Sequence, residues 1–77
     1  MVRRTRRGPY VVCVSNRGYR ASLVVRKIYR TLPDARGERL GLVRVVDESG
    51  EDYLYPERMF VAIEVPRGAA RVFRASS

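Results

Sequence analysis

At 77 residues, with 45% hydrophobic and 31% charged side chains, the chain has the composition of a folded domain and room for one modest core, which excludes both a disordered chain and a second domain. The absence of histidine and the presence of a single cysteine, Cys13, exclude histidine-based acid–base catalysis, an internal disulfide and a Cys/His metal centre. A net charge of +8 favours anionic partners, and no apolar run is long enough to cross a bilayer as a helix.

Residues 1–9 read as a flexible basic arm, carrying Arg3, Arg4, Arg6 and Arg7 and ending in the structure-breaking pair Gly8-Pro9. Tyr10 to Val14 is almost entirely β-branched or aromatic and predicts the first strand, stopped by Ser15-Asn16-Arg17-Gly18, which has turn chemistry. That apolar stretch is too short for a secretory signal; with a lone cysteine, the expected compartment is the cytoplasm. From Tyr19 the chain crosses through Leu23-Val24-Val25 to Lys27–Leu32, an extended segment alternating apolar and polar residues and ended by Pro33. Residues 34–39 hold four charges and Gly37, the pattern of an exposed loop with room for one helical turn.

Gly41–Val46, the polar connection 47–52 and Tyr53-Leu54-Tyr55 predict a β-hairpin with Ser49-Gly50 at its tip and Gly50 at positive φ. After Pro56 and the short break Glu57-Arg58-Met59 comes Phe60–Val65, where Val61, Ile63 and Val65 share one face of a last strand. Residues 67–77 read as a frayed basic tail. Five short strands without a helix-length periodic segment imply an all-β meander, and closing so small a sheet on itself protects its edges.

The run Tyr53-Leu54-Tyr55-Pro56-Glu57-Arg58-Met59-Phe60-Val61 resembles the end of an SH3-like barrel, in which a strand ends in an apolar residue and proline, makes one tight helical turn, and re-enters the sheet through an aromatic–valine pair. Leu23–Leu32 is compatible with the second strand of that family. The resemblance implies a small five-stranded SH3-like barrel over residues 10–66. The runs Lys27–Asp34 and Gly41–Pro56 are also similar to a group of small uncharacterised bacterial proteins, a resemblance that supports the fold and brings no activity. Proline-peptide-binding SH3 domains carry an acidic loop after the first strand and a tryptophan on the third. Here tryptophan is absent and that loop carries Arg17 and Arg20. No proline-peptide site is carried over, and Tyr53, Tyr55 and Pro56 read as structural.

The charge is unevenly placed. Residues 1–30 carry nine basic side chains and no acid, residues 31–66 sum to −4, and residues 67–77 add three arginines. Arg17 and Arg20 bracket a turn with Tyr19 between them, and Arg26, Lys27 and Arg30 follow. Interleaved arginine and aromatic side chains are what following a phosphate backbone and stacking a base require. Two plainer readings stand beside this one. Tyr19 and Tyr29 fit a core while the cations cover the outside, and an arginine excess with one lysine, Lys27, is also what a GC-rich genome produces. Cys13 reads as a small buried hydrophobe. The acids Asp47, Glu48, Glu51 and Asp52 flank a glycine turn without EF-hand spacing, which suits intramolecular pairing better than Mg²⁺ or Ca²⁺.

The expected protein is therefore a non-enzymatic binding module needing no cofactor. Its arginine-rich face, formed by Arg3, Arg4, Arg6, Arg7, Arg17, Tyr19, Arg20, Arg26, Lys27 and Arg30, binds RNA or DNA without sequence preference. The alternative is a protein-interaction module whose partner adds to an exposed strand edge or covers Tyr53, Tyr55 and Phe60.

Overall fold

The computed structural model describes residues 9–64 and Gly68. The expected basic arm, Pro9 apart, and the expected tail, Gly68 apart, lie outside the described residues. Five strands form in the predicted places: β1 (Tyr10–Cys13), β2 (Ile28–Leu32), β3 (Leu42–Val46), β4 (Asp52–Pro56) and β5 (Phe60–Ile63). A short helix, α1 (Ala35–Arg39), joins β2 to β3, and one 3₁₀ turn, Glu57–Met59, joins β4 to β5. All neighbours in the sheet are antiparallel, in the order β4-β3-β2-β1-β5. The first strand is thus central and pairs with the last. The fold is all-β, as expected, but β4 and β5 end the sheet and do not close it.

One cluster forms the core: Val11, Cys13, Leu23, Tyr29, Val43, Val45, Tyr55, Met59 and Phe60. Alternation along the strands sends the strand members inward, and Leu23 and Met59 join them from the β1–β2 connection and the 3₁₀ turn. In β5 Val61 and Ile63 share the face that points away from the core. Phe60 lies opposite Cys13 and is buried, whereas Val61 lies opposite Val12 and is 51% exposed. Met59 and Phe60 fill the core there because the 3₁₀ turn delivers two consecutive apolar side chains to it.

The stretch 34–39 adopts the single helical turn its composition allows. Asp34 caps α1, accepting from the Gly37 amide at 2.8 Å, and Arg44 on β3 binds the same carboxylate through Nε and Nη2, each at 2.8 Å. Arg44 also reaches Asp52 at 2.9 Å, so one guanidinium joins α1, β3 and β4. At the tip of the β3–β4 hairpin Gly50 has φ +87°, as the turn chemistry predicts.

Candidate nucleic-acid interface

The connection between β1 and β2, residues 14–27, carries most of the described candidate residues. Leu23–Leu32, compatible by resemblance with one strand, becomes a strand only from Ile28, and residues 20–22 and 25–26 are turns. The β-branched pair Val24-Val25 favours a strand, but Arg26 takes φ +76° and breaks the extended path. The loop is nonetheless held at several points. Leu23 plugs the core at 1% exposure. The Asn16 side-chain amide donates to the Leu23 carbonyl at 3.0 Å, and the amides of Ser22 and Leu23 donate to the Tyr19 carbonyl, each at 3.0 Å. The Arg26 amide donates to the Cys13 carbonyl at 2.7 Å, which keeps the loop's end in register with β1.

Arg17, Arg20 and Arg26 all lie exposed on this held loop. Tyr19 stands between the first two, 40% exposed, with its ring edge-to-face on Tyr55 at 5.0 Å between centroids. That contact positions the ring without burying it. Lys27 is exposed but paired with Glu48 at 2.7 Å, and its ammonium lies 5.7 Å from the centre of the Tyr29 ring. Tyr29 belongs to the core. Its hydroxyl donates to Glu48 and accepts from the Val24 amide at 2.8 Å. Burial, reinforced by the bond to Glu48, pushes the Tyr29 phenol well above its ordinary range.

Arg30 stands apart from the loop. It is half-buried on β2, opposite Tyr10, and its Nε is buried without a hydrogen-bond partner. The structure therefore brings Arg17, Tyr19, Arg20, Arg26 and Lys27 onto one connection, and sets Arg30 on the sheet. Arg3, Arg4, Arg6 and Arg7 lie outside the described residues.

Of the acidic side chains of residues 47–52, Asp47 turns inward, while Glu48, Glu51 and Asp52 stay exposed. Asp47 is buried at 6% exposure and accepts from the Tyr55 hydroxyl at 2.6 Å, the Ser49 amide at 2.9 Å and the Ser49 hydroxyl at 2.6 Å. Burial alone raises a carboxylate, but the bonds from Ser49 and Tyr55 prevail and hold Asp47 below the usual range. Glu48 is also lowered, chiefly by hydrogen bonding to Lys27 and Tyr29. Tyr55 is pushed up to about 12, by burial first and by its bond to Asp47 second. Asp47 was legible in the sequence as part of a turn: Asp-x-Ser before a glycine is an Asx-turn pattern. Its burial was not, because only the register of β4 brings the Tyr55 hydroxyl over it.

Among the described residues, no group of three or more acidic, cysteine or histidine side chains is placed to hold a metal ion, and no helix is long and apolar enough to cross a membrane. The partner surface expected at Tyr53, Tyr55 and Phe60 is not assembled. Tyr55 and Phe60 are buried in the core, and only Tyr53, at 51%, is exposed. No protein-family model, curated protein or solved structure matches the chain.

Proposed function

We propose that this chain is a small non-enzymatic binding module of SH3-like barrel type that binds RNA or DNA, without strong sequence preference, through the β1–β2 loop. One observation carries the reading. Arg17, Arg20 and Arg26 stand exposed around a half-exposed tyrosine on a loop anchored to the core, while the acids Asp47 and Glu48 are engaged by Tyr55, Ser49, Lys27 and Tyr29. Such a surface offers cations to phosphates and a ring face to a base, with little competing negative charge. Arg3, Arg4, Arg6, Arg7, Lys27 and Arg30 complete the proposed set of contributing cations. The antiparallel order with β1 central and the 3₁₀ turn before β5 support the barrel type. The single cysteine supports the cytoplasm as its compartment.

The test is a mobility-shift titration with a single-stranded RNA and a duplex DNA at several salt concentrations. Binding weakens with salt, and on duplex DNA the triple variant R17Q/R20Q/R26Q flattens the log–log slope by about two to three units, at ~0.9 for each phosphate that is no longer neutralised. Its melting temperature stays near that of the parent, because the three side chains are exposed. Absence of binding to either probe at low salt overturns the reading.

The second reading, a protein partner adding a strand, rests on the end strands β4 and β5. Capture of partners from native lysate with and without nuclease separates the two. Partners that survive nuclease favour strand addition, and partners that disappear with it favour nucleic acid.

A further inference from the structure

The chain has five tyrosines, and burial sorts them. Tyr10, Tyr29 and Tyr55 are buried, whereas Tyr19 and Tyr53 stand exposed, at 40% and 51%. Charge then separates the two exposed rings. Tyr53 follows Glu51 and Asp52 at the start of β4 and donates its hydroxyl to Glu51 at 3.2 Å, so carboxylates stand beside it where a phosphate chain would have to pass. Tyr19 lies between the exposed Arg17 and Arg20. It is also held in place. Its amide donates to the Asn16 carbonyl at 2.8 Å, and its carbonyl accepts from the Ser22 and Leu23 amides. Its ring meets Tyr55 edge to face, with 88° between the planes, and the Tyr55 hydroxyl is bonded to Asp47 and Ser22. A single edge-to-face contact leaves at least one face of the Tyr19 ring uncovered by Tyr55.

We infer that the β1–β2 loop prefers single-stranded nucleic acid to duplex, with Tyr19 as the platform on which one base stacks and Arg17 and Arg20 on the phosphates to either side. This rests on the nucleic-acid reading above and names its substrate class. Arginines take the phosphates of a single strand and of a duplex alike. Base faces differ between the two: in a duplex each is already covered by its neighbours in the stack, whereas unpaired bases can turn a face to an aromatic ring. The ring therefore adds affinity for the single strand alone. A ring fixed before binding loses little freedom when a base settles on it. The contact is uncharged and releases no counterion, so it strengthens binding without steepening the salt dependence that the arginines set. Every base has a π-face, which keeps the preference independent of sequence.

The test compares the full-length protein on three probes over one salt series: a mixed-sequence DNA strand, the duplex of that strand, and the same strand carrying abasic sites, which keeps the phosphates and removes the bases. The parent binds the intact strand most tightly. Tyr19→Ala weakens that binding by about five- to a hundredfold, the range for one stacked base, with the salt slope kept and with the duplex and the abasic strand unaffected. Tyr19→Phe binds as the parent does. Tyr19→Leu, which fills the space against Tyr55 without a π-face, loses the preference while its melting temperature stays near the parent's, and Tyr53→Ala changes none of the three affinities. Equal affinity of the parent for strand and duplex overturns the inference, as does a Tyr19→Leu protein that binds the strand like the parent; in both cases arginine-based binding still stands. A loss in Tyr19→Ala that falls equally on all three probes also overturns it, because it marks a loop that has come apart and not a missing platform. No binding of any probe by the parent removes both readings together.

Discussion

The β1–β2 loop and the β3–β4 hairpin are both polar connections between adjacent antiparallel strands, yet they use their charges in opposite ways. In the hairpin, Asp47 turns into the structure and organises it, binding Ser49 within the turn and Tyr55 across the strands. In the loop the fastening comes from Leu23, Asn16 and backbone amides, and the arginine side chains take no part in it. Charge that holds a fold is spent within it, whereas charge left out of the fastening stays available to a partner. The contrast separates a structural acidic turn from a candidate binding loop better than the signs of the residues alone.

The sharpest way to break the contrast is at the loop's one deep anchor. Leu23→Ala removes a fully buried side chain and is expected to destabilise the protein by about 3 kcal/mol, within the range for such truncations, as read from the urea midpoint. If the loop is held as described, the same variant raises amide exchange in residues 14–27 more than in the β3–β4 hairpin. A smaller loss is expected in the hairpin. Asp47→Ala leaves the Tyr55 hydroxyl without its acceptor and should cost about 2 kcal/mol, while leaving the salt dependence of nucleic-acid binding unchanged. A change in that slope in Asp47→Ala would show that the two regions are not independent.

The gentlest test is pH. Asp34, Asp47 and Glu48 are held below their ordinary values. Their stabilisation is therefore complete above the unfolded carboxylate range near ~4 and is lost as pH falls through the folded values. Tyr55 is raised to about 12, so its contribution is complete below the unfolded phenol value near ~10 and is lost as pH rises from there. Urea midpoints should fall on the acid and the alkaline side of the neutral range, with Cys13, raised by burial, adding to the alkaline fall, and Asp47→Asn should make the acid side shallower. An unchanged acid side in Asp47→Asn would remove Asp47 as the hairpin's main titrating support.

Much of the strand plan was legible because β-branched and aromatic runs were separated by clear turn residues, as at Ser15-Asn16-Arg17-Gly18 and around Gly50. The order of the strands, with β1 between β2 and β5, was not read from the sequence. Three features lay beyond local reading. Val24-Val25 looked extended, but the backbone turns at Arg26 so that Leu23 can enter the core. The last strand buries Phe60 and not Val61, a choice made by its pairing with β1. Arg30 looked like one more member of a basic series, yet its place beside Tyr10 takes it off the loop. Each depends on which residues become neighbours across the sheet, information that spacing along the chain does not contain. Of the candidate residues, Arg17, Tyr19, Arg20 and Arg26 were named from the sequence and lie on one loop, and the anchors of that loop, Leu23 and Asn16, were not named as such.

Gly37 gives α1 an unusual mutational signature. A methyl group there would lie 2.8 Å from a terminal methyl of Leu54 and 3.3 Å from the Asp34 carboxyl, so the helix sits close to the sheet through the absence of a side chain. Alanine would gain about 1 kcal/mol of helix propensity, set against the displacement of Leu54 and of the cap. Larger residues bring more crowding without that compensation. In a saturation library, position 37 should therefore tolerate glycine and little beyond alanine, between exposed neighbours at Arg36 and Glu38 that accept most substitutions. A sharp minimum between two permissive sites would report how closely this short helix rides on the sheet.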